Sequence, residues 1–129
     1  MDIGISVRVP LPFDEAVERT RTALKEQGFG VLTEIDVRQT LRDKIGEDTE
    51  RYLILGACNP RLAHRALEVD RRIGLLLPCN VVVRESEDGT LVEALDPEIM
   101  VQATEEPGFA PVAAEAAARL RTALDTLDS

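Results

Sequence analysis

Two cysteines in matching settings are where this 129-residue chain could concentrate chemistry. Cys58 closes the apolar run Tyr52-Leu53-Ile54-Leu55-Gly56-Ala57 and precedes Asn59-Pro60 and a helical pattern. Cys79 follows Leu75-Leu76-Leu77-Pro78 and opens the run Asn80-Val81-Val82-Val83. A thiol just ahead of a helix start faces unpaired backbone N–H groups and the positive end of the dipole, both of which favour thiolate. Three readings compete for the two residues. They are a reactive dithiol with Cys58 as nucleophile and Cys79 as resolving thiol, a soft-metal site, or two buried small apolar side chains. The last is preferred, because free cysteine is among the most buried residue types. The two lie far outside CxxC spacing and no second hook exists, so a structural zinc site lacks ligands and no metal or cofactor is expected.

The other polar residues offer less. His64, the only histidine, falls beside Arg61 and Arg65 on the polar face of a helix and reads as solvated. Asn59-Pro60 and Asp96-Pro97 are helix starts. Arg61, Arg65, Arg71 and Arg72 make a local basic face, the kind that stays solvated or attracts a carboxylate or phosphate. If the chain binds a ligand, the two cysteine neighbourhoods offer Cys58, Asn59, Arg61, Cys79 and Asn80. Gly28-Phe29-Gly30 lacks a third glycine and precedes a strand, so it is no dinucleotide fingerprint. Ser6, Ser86 and Ser129 have no histidine partner, which argues against a serine hydrolase.

The elements that must position these residues follow from periodicity. Ile3, Ile5, Val7 and Val9 alternate with polar residues and predict a half-buried strand, broken at Pro10-Leu11-Pro12. Phe13, Ala16, Val17, Thr20, Ala23 and Leu24 have helical spacing, with Gly28 as the stop. A strand from Phe29 to Val37 puts Val31, Thr33, Ile35 and Val37 on one face. The stretch from Arg38 to Glu50 holds only Leu41 and Ile45 as apolar anchors and reads as a mobile connection. Tyr52 to Ala57 is apolar on both faces, which suggests a central strand. Leu62, Ala63, Ala66 and Leu67 form the stripe of a helix ending near Asp70. Gly74 and Pro78 frame an extended return into the strand Asn80–Glu85. Glu87-Asp88-Gly89 signals a hairpin turn into Leu91–Leu95. A short helix opens at Asp96-Pro97, and a last one from Pro111 carries Ala113, Ala116, Ala117, Leu120, Leu124 and Leu127 on one face. No repeat or second domain is visible, so residues 1–129 are read as a single domain.

Composition narrows the classes of function. With aromatic residues at 3% and no Trp, a stacking platform for bases is absent, and a formal net charge of −9 repels a phosphate backbone or an anionic membrane surface. No nucleic acid partner is expected. No apolar run approaches the ~20 residues that span a bilayer. The start lacks a basic segment followed by an apolar stretch, so no signal peptide is expected. A cytoplasmic location follows as the expectation, with both cysteines as thiols.

This order of elements predicts an α+β two-layer domain, a five-stranded antiparallel sheet with helices on one face. Two topologies fit. In a ferredoxin-like arrangement the Leu62–Leu67 helix crosses between strands running the same way, leaving Cys58 and Cys79 roughly 15–20 Å apart at opposite ends of the sheet. In a meander the strands are antiparallel neighbours and the cysteines share one end. The segments Gly28-Phe29-Gly30-Val31-Leu32-Thr33-Glu34-Ile35-Asp36, Leu55-Gly56-Ala57-Cys58-Asn59-Pro60 and Leu76-Leu77-Pro78-Cys79-Asn80-Val81-Val82-Val83, with the Asp96-Pro97 helix start, resemble the bacterial and archaeal domain of unknown function 302 family. The resemblance covers nearly the whole chain. It implies a TATA-binding-protein-like domain of strand, helix, four-strand meander and C-terminal helix, and so neighbouring cysteines. It also makes a dimer plausible, and it supplies no catalytic residue.

The functional expectation is therefore a dimeric ligand-binding or interaction module without catalytic activity. Its strand Tyr52–Ala57 is apolar on both faces and helices cover only one, so a second copy of the chain is the simplest cover for the other, over an area on the order of 800 Å² per subunit. A small ligand is the other occupant compatible with these residues. The alternative is a thiol-dependent redox or sulfur-handling protein using Cys58 and Cys79.

Overall fold

The computed structural model describes residues 2–128; Met1 and Ser129, the latter noted above as a serine without a histidine partner, lie outside the described residues. The alternating run at the start forms β1 (Gly4–Val9), and Pro12 leads into α1 (Phe13–Glu26). Then come β2 (Gly30–Asp36), α2 (Val37–Ile45), β3 (Tyr52–Cys58) and α3 (Pro60–Val69). A 3-10 turn over Arg71–Leu76 precedes the hairpin β4 (Cys79–Ser86) and β5 (Gly89–Leu95). The short α4 (Ile99–Thr104) and the long α5 (Ala110–Leu127) complete the chain.

The strands form one sheet in the order β1-β5-β4-β3-β2, every neighbouring pair antiparallel. The domain is thus α+β with a five-stranded antiparallel sheet. The ferredoxin-like alternative fails because β3 and β4 are adjacent and antiparallel, so α3 is an excursion between neighbours and not a crossover.

One face of the sheet carries the core. Leu53, Leu55 and Ala57 of β3, Val81 and Val83 of β4, and Val92 and Ala94 of β5 are buried against α1 and the C-terminal half of α5, which contribute Leu24, Leu120 and Leu124. The pleat sends alternate residues to the other side. There the register aligns Ile35, Ile54, Val82, Glu93 and Ser6 in one row across the sheet, and Tyr52, Arg84, Leu91 and Arg8 in the next. No cluster of buried residues forms on this face among the described residues; Tyr52, Ile54, Val82 and Leu91 are half-buried and Ile35 is 49% exposed.

A second apolar cluster lies beyond the end of the sheet. Leu62 and Ala66 of α3, Ile73 of the 3-10 turn, Met100 of α4, and Phe109, Val112 and Ala113 at the start of α5 build it. An ionic bracket ties α3 to α5: Arg65 Nη1 donates to Glu115 Oε1 at 2.9 Å, and Arg119 Nε donates to Glu115 Oε2 at 3.2 Å. At the opposite end Arg51 ties the approach to β3 onto α1. Its guanidinium lies 4.2 Å from the centroid of the Phe13 ring and donates to Asp14 Oδ1 at 2.7 Å.

Three local expectations are corrected. The stretch read as a mobile connection contains α2. Its start is capped by Asp36, whose carboxylate accepts from Gln39 N at 2.9 Å, and its end by Gly46 in the left-handed region at φ 68°. The segment before Pro78, expected to be extended, winds into the 3-10 turn, with Asp70 accepting from Arg72 N. In β2 the alternation does not run unbroken. A bulge between Val31 and Thr33 leaves Val31 on the core face and turns Thr33 and Ile35 to the open one, while Val37 begins α2.

Leu55 is fully buried in the central region of the core. Leu55→Ala should cost about 2–5 kcal/mol, the usual range for a buried Leu that leaves a cavity, read from the midpoint of urea unfolding. The ionic ties predict an acid limb. Hydrogen bonds from Arg51 to Asp14, and from Arg65 and Arg119 to Glu115, hold both carboxyls below their ordinary values. A depressed folded-state pKa gives stability that is present above the ordinary values of 3.8 and 4.5 and is lost as pH falls through and below them. Asp14→Asn and Glu115→Gln should each flatten the fall in thermal midpoint between neutral and acid pH, and an unchanged pH slope would contradict the assignment.

Candidate functional site

The end of the sheet where β3 stops and β4 starts holds the residues singled out by chemistry. Ala57 pairs with Cys79 and Gly56 with Asn80, so Cys58 and Cys79 lie at the same end of neighbouring strands. Alternation nevertheless turns them apart. Cys79 shares the core face with its partner Ala57, and Cys58, one residue further on, takes the opposite side. Both cysteines are free, and no disulfide joins them. The reactive dithiol weighed as the alternative to two packed side chains is therefore not formed as a bonded or facing unit.

Each thiol has its own surroundings. Cys79 Sγ donates a long hydrogen bond of 3.7 Å to Leu95 O and packs against the main core. Burial, reinforced by the negative charge of Asp96, pushes its pKa from 9.0 up to about 12. That is the direction opposite to what a nucleophilic or resolving thiol needs at neutral pH. Cys58 is half-buried at the strand end. The cap that follows is already engaged: Asn59 Oδ1 accepts from Leu62 N at 3.3 Å and Nδ2 donates to Gln27 O at 3.4 Å.

The other candidates separate in space. Asn80 stands exposed on the open face of the sheet opposite Gly56. Arg61 is exposed on the outer side of α3. His64 is also on the surface, its Nε2 3.4 Å from Glu68 Oε1 one turn on, in line with the solvated reading. Among the described residues no three His, Cys, Asp or Glu side chains gather where a metal ion could be held.

What the structure does bring together is an apolar cleft between the two hydrophobic clusters. Its volume is about 50 Å³. Ala57 and Cys79 at the end of the sheet, Leu62 and Ala66 of α3, and Val112 and Ala116 of α5 supply its walls, while Met100 of α4 and Leu120 of α5 also line it. Leu76, Leu77 and Pro78 form one rim. Cys58 and Asn59 line it as well, and Asn59 is the one lining residue with an amide or charged side chain. Of the five ligand candidates, three thus border one cleft and two, Arg61 and Asn80, do not. Met100 and Val112 were invisible as site residues in the sequence because they reach the cleft through helices whose packing no local pattern specifies.

Comparison with known proteins agrees with the architecture. Residues 5–127 match the family model for the domain of unknown function DUF302, so the chain belongs to that family. A crystal structure of an uncharacterized conserved protein DUF302 from Bacillus stearothermophilus superposes with a TM-score of 0.91 at 31% sequence identity, covering 97% of this chain and 98% of that one. No curated protein matches.

The raised pKa of Cys79 predicts its chemical behaviour. A pKa near 12 in place of 9.0 lowers the thiolate fraction at pH 8 by about a thousandfold. Native protein treated with iodoacetamide at pH 8 should leave Cys79 unmodified on a timescale that labels it fully in urea, as read by peptide mass spectrometry. Labelling at equal rates in the two conditions would refute the buried, protonated state.

Proposed function

We propose that this DUF302 domain is a non-catalytic interaction module that acts as a homodimer, two copies meeting through the open face of the sheet. The observation that carries the reading is the row Ile35, Ile54 and Val82, with Tyr52 and Leu91 beside it, on a face that the core helices leave uncovered. Apolar side chains gathered on one sheet face gain about 25 cal/mol for each Å² withdrawn from water. A second sheet stacked at ~10 Å, with strands aligned to within about 30°, is the simplest cover. The unpaired cysteines suit a reducing compartment, in keeping with work in the cytoplasm.

Charge on the face supports a second copy over other partners. The chain carries −9 overall, so two copies repel over most of their surfaces. The open face differs, with Arg84 and Arg8 flanking Leu91 in one row and Glu93 in the next. A two-fold axis across the strands, between these rows, sets Glu93 of one copy over the partner's Leu91. There it lies between the partner's Arg84 and the partner's Arg8, and the reciprocal contact forms on the other side. In the single chain these charges have polar partners: Ser6 Oγ donates to Glu93 Oε2 at 2.5 Å, Arg8 Nη1 donates to Ser86 Oγ at 3.2 Å, and Arg84 lies 3.9 Å from Glu50.

Light scattering at micromolar concentration should give twice the chain mass of 14.2 kDa. Glu93→Arg and Arg84→Glu should each weaken the dimer at least about tenfold, by placing like charges opposite each other. An equimolar mixture of the two variants should recover a dimer, since Arg at 93 of one then meets Glu at 84 of the other. A monomeric wild-type protein would overturn the proposal. A dimer indifferent to both substitutions would show that copies meet elsewhere.

A further inference from the structure

We infer that the outer edge of β1 pairs antiparallel with β1 of a second copy, about a two-fold axis at Val7, so that two sheets join into one. The contact is lateral and stands apart from the stacking of open faces. β1 is an outermost strand, bonded to β5 on one side only. Ile3 O accepts from Asp96 N, and Val9 O lies against Gly89, so the odd-numbered residues turn their main-chain groups toward β5. Gly4, Ser6 and Arg8 therefore turn theirs outward.

The register follows from which of these groups are free. Gly4 N already donates to Asp2 Oδ1 at 3.1 Å, and Pro10, the next outward position, has no N–H. Among the described residues nothing bonds to the outward N–H and C=O groups of Ser6 and Arg8. Pairing Ser6 with the partner's Arg8, and Arg8 with the partner's Ser6, satisfies all of these groups and asks no donor of Gly4 or Pro10. That register puts the axis at Val7. An axis at Ser6 would pair Arg8 with Gly4 and break the Asp2 contact.

The side chains are self-complementary in this register. On the core side Val7 meets the partner's Val7, and Ile5 meets the partner's Val9, β-branched pairs of the kind that stabilise sheets. Ile5 and Val7 are only half-buried, whereas the β5 residues opposite them, Ala94 and Val92, are fully buried, so the core is incompletely covered at this edge. On the open side Arg8 stands opposite the partner's Ser6. Ser6 Oγ holds the Glu93 carboxylate toward the edge, where the Glu93 side chain fills the space a Cβ on Gly4 would take. Arg8 thus reaches the partner's Glu93, twice by symmetry, in a chain of charge −9 whose copies otherwise repel. The opposite edge is blunted: β2 carries a bulge between Val31 and Thr33 and the acidic residues Glu34 and Asp36. β1 keeps its register with β5 unbroken from Gly4 to Val9.

The axis at Val7 lies level with the gap between the rows of Ser6 and Arg8, as does the axis of the stacked pair, so both contacts fit one closed set of four copies. The light-scattering mass should therefore double between about 10 μM and about 1 mM, the range of a weak main-chain contact. Ser6→Pro removes one outward N–H and leaves the bonds of β1 to β5 in place. It should abolish the doubling and retain the thermal midpoint. Val7→Cys should form a covalent pair under mild oxidation, because residues opposed at the axis have Cα atoms about 4.5 Å apart, within disulfide reach. Ser6→Cys, whose two copies lie roughly 8 Å apart, should link at least about tenfold more slowly. The wild-type protein, with Cys58 and Cys79, sets the background rate.

No doubling, a doubling that survives in folded Ser6→Pro, or Val7→Cys linking no faster than the wild type or than Ser6→Cys would each overturn the inference. If Ser6→Pro folds poorly, the cross-linking comparison decides. A wild-type mass that doubles from 14.2 kDa, and not from twice that value, would refute the stacked faces and leave the edge contact standing.

Discussion

The pairing of β3 with β4 governs what every other part of the molecule can do. Leu55 opposite Val81 and Ala57 opposite Cys79 place one complete set of side chains under α1 and α5 and leave the alternate set, Tyr52, Ile54 and Val82, on the other side. Because the side-chain period along a strand is two, a slip of one residue would send Leu53, Leu55 and Ala57 to the uncovered face. Register is strongly determined here because one face is sealed by helices and the other is not. The same register separates the two thiols. Their common position at the end of the sheet follows from the antiparallel turn-back, and their divergence follows from the pleat.

The second dependence is on α5. Its first turns, through Val112 and Ala113, belong to the cluster beyond the sheet, and its later ones, through Leu120, Ala123 and Leu124, belong to the main core. A single rigid helix thus fastens two apolar bodies that do not merge. Ala116 and Leu120 fall where it passes from one to the other, and both line the cleft. The bracket of Arg65, Glu115 and Arg119 holds α3 beside α5 at the same level. Exposed ion pairs contribute little stability individually. They lie beside the cleft, where α3 and α5 form two of its walls.

Much of this was legible in the chain itself, and the reasons differ by element. β1, α1, β3 and α5 bury most of one face against a common core, so their periods of two and 3.6 appear directly in Ile5–Val7–Val9, Phe13–Ala16–Val17–Thr20 and Ala113–Ala116–Ala117–Leu120. α2 buries no residue and shows no such stripe; its boundaries come from local capping by Asp36 and Gly46, a weaker signal than periodicity. The bulge in β2 breaks alternation at Leu32 and so misassigned Thr33 and Ile35 to the face of Val31. Within the site, Cys58, Asn59 and Cys79 were found through their strand-end positions. The cleft itself is formed by contacts among α3, α4, α5 and the rim at Leu76–Pro78, which are distant in sequence.

The expectation at the start of α3 rested on free backbone donors and the helix dipole, and most of those donors are missing or already engaged. Pro60 has no N–H to give, and the N–H of Leu62 is taken by the Asn59 side chain. Of the first-turn donors only that of Arg61 is left. The strand also directs Cys58 away from the core side, where Asn59 reaches the carbonyl of Gln27. On the other strand, Cys79 meets apolar neighbours, a carbonyl oxygen and the charge of Asp96, all of which favour the protonated thiol. An asparagine cap thus takes a first-turn donor beside the strand end, and both cysteines border the cleft.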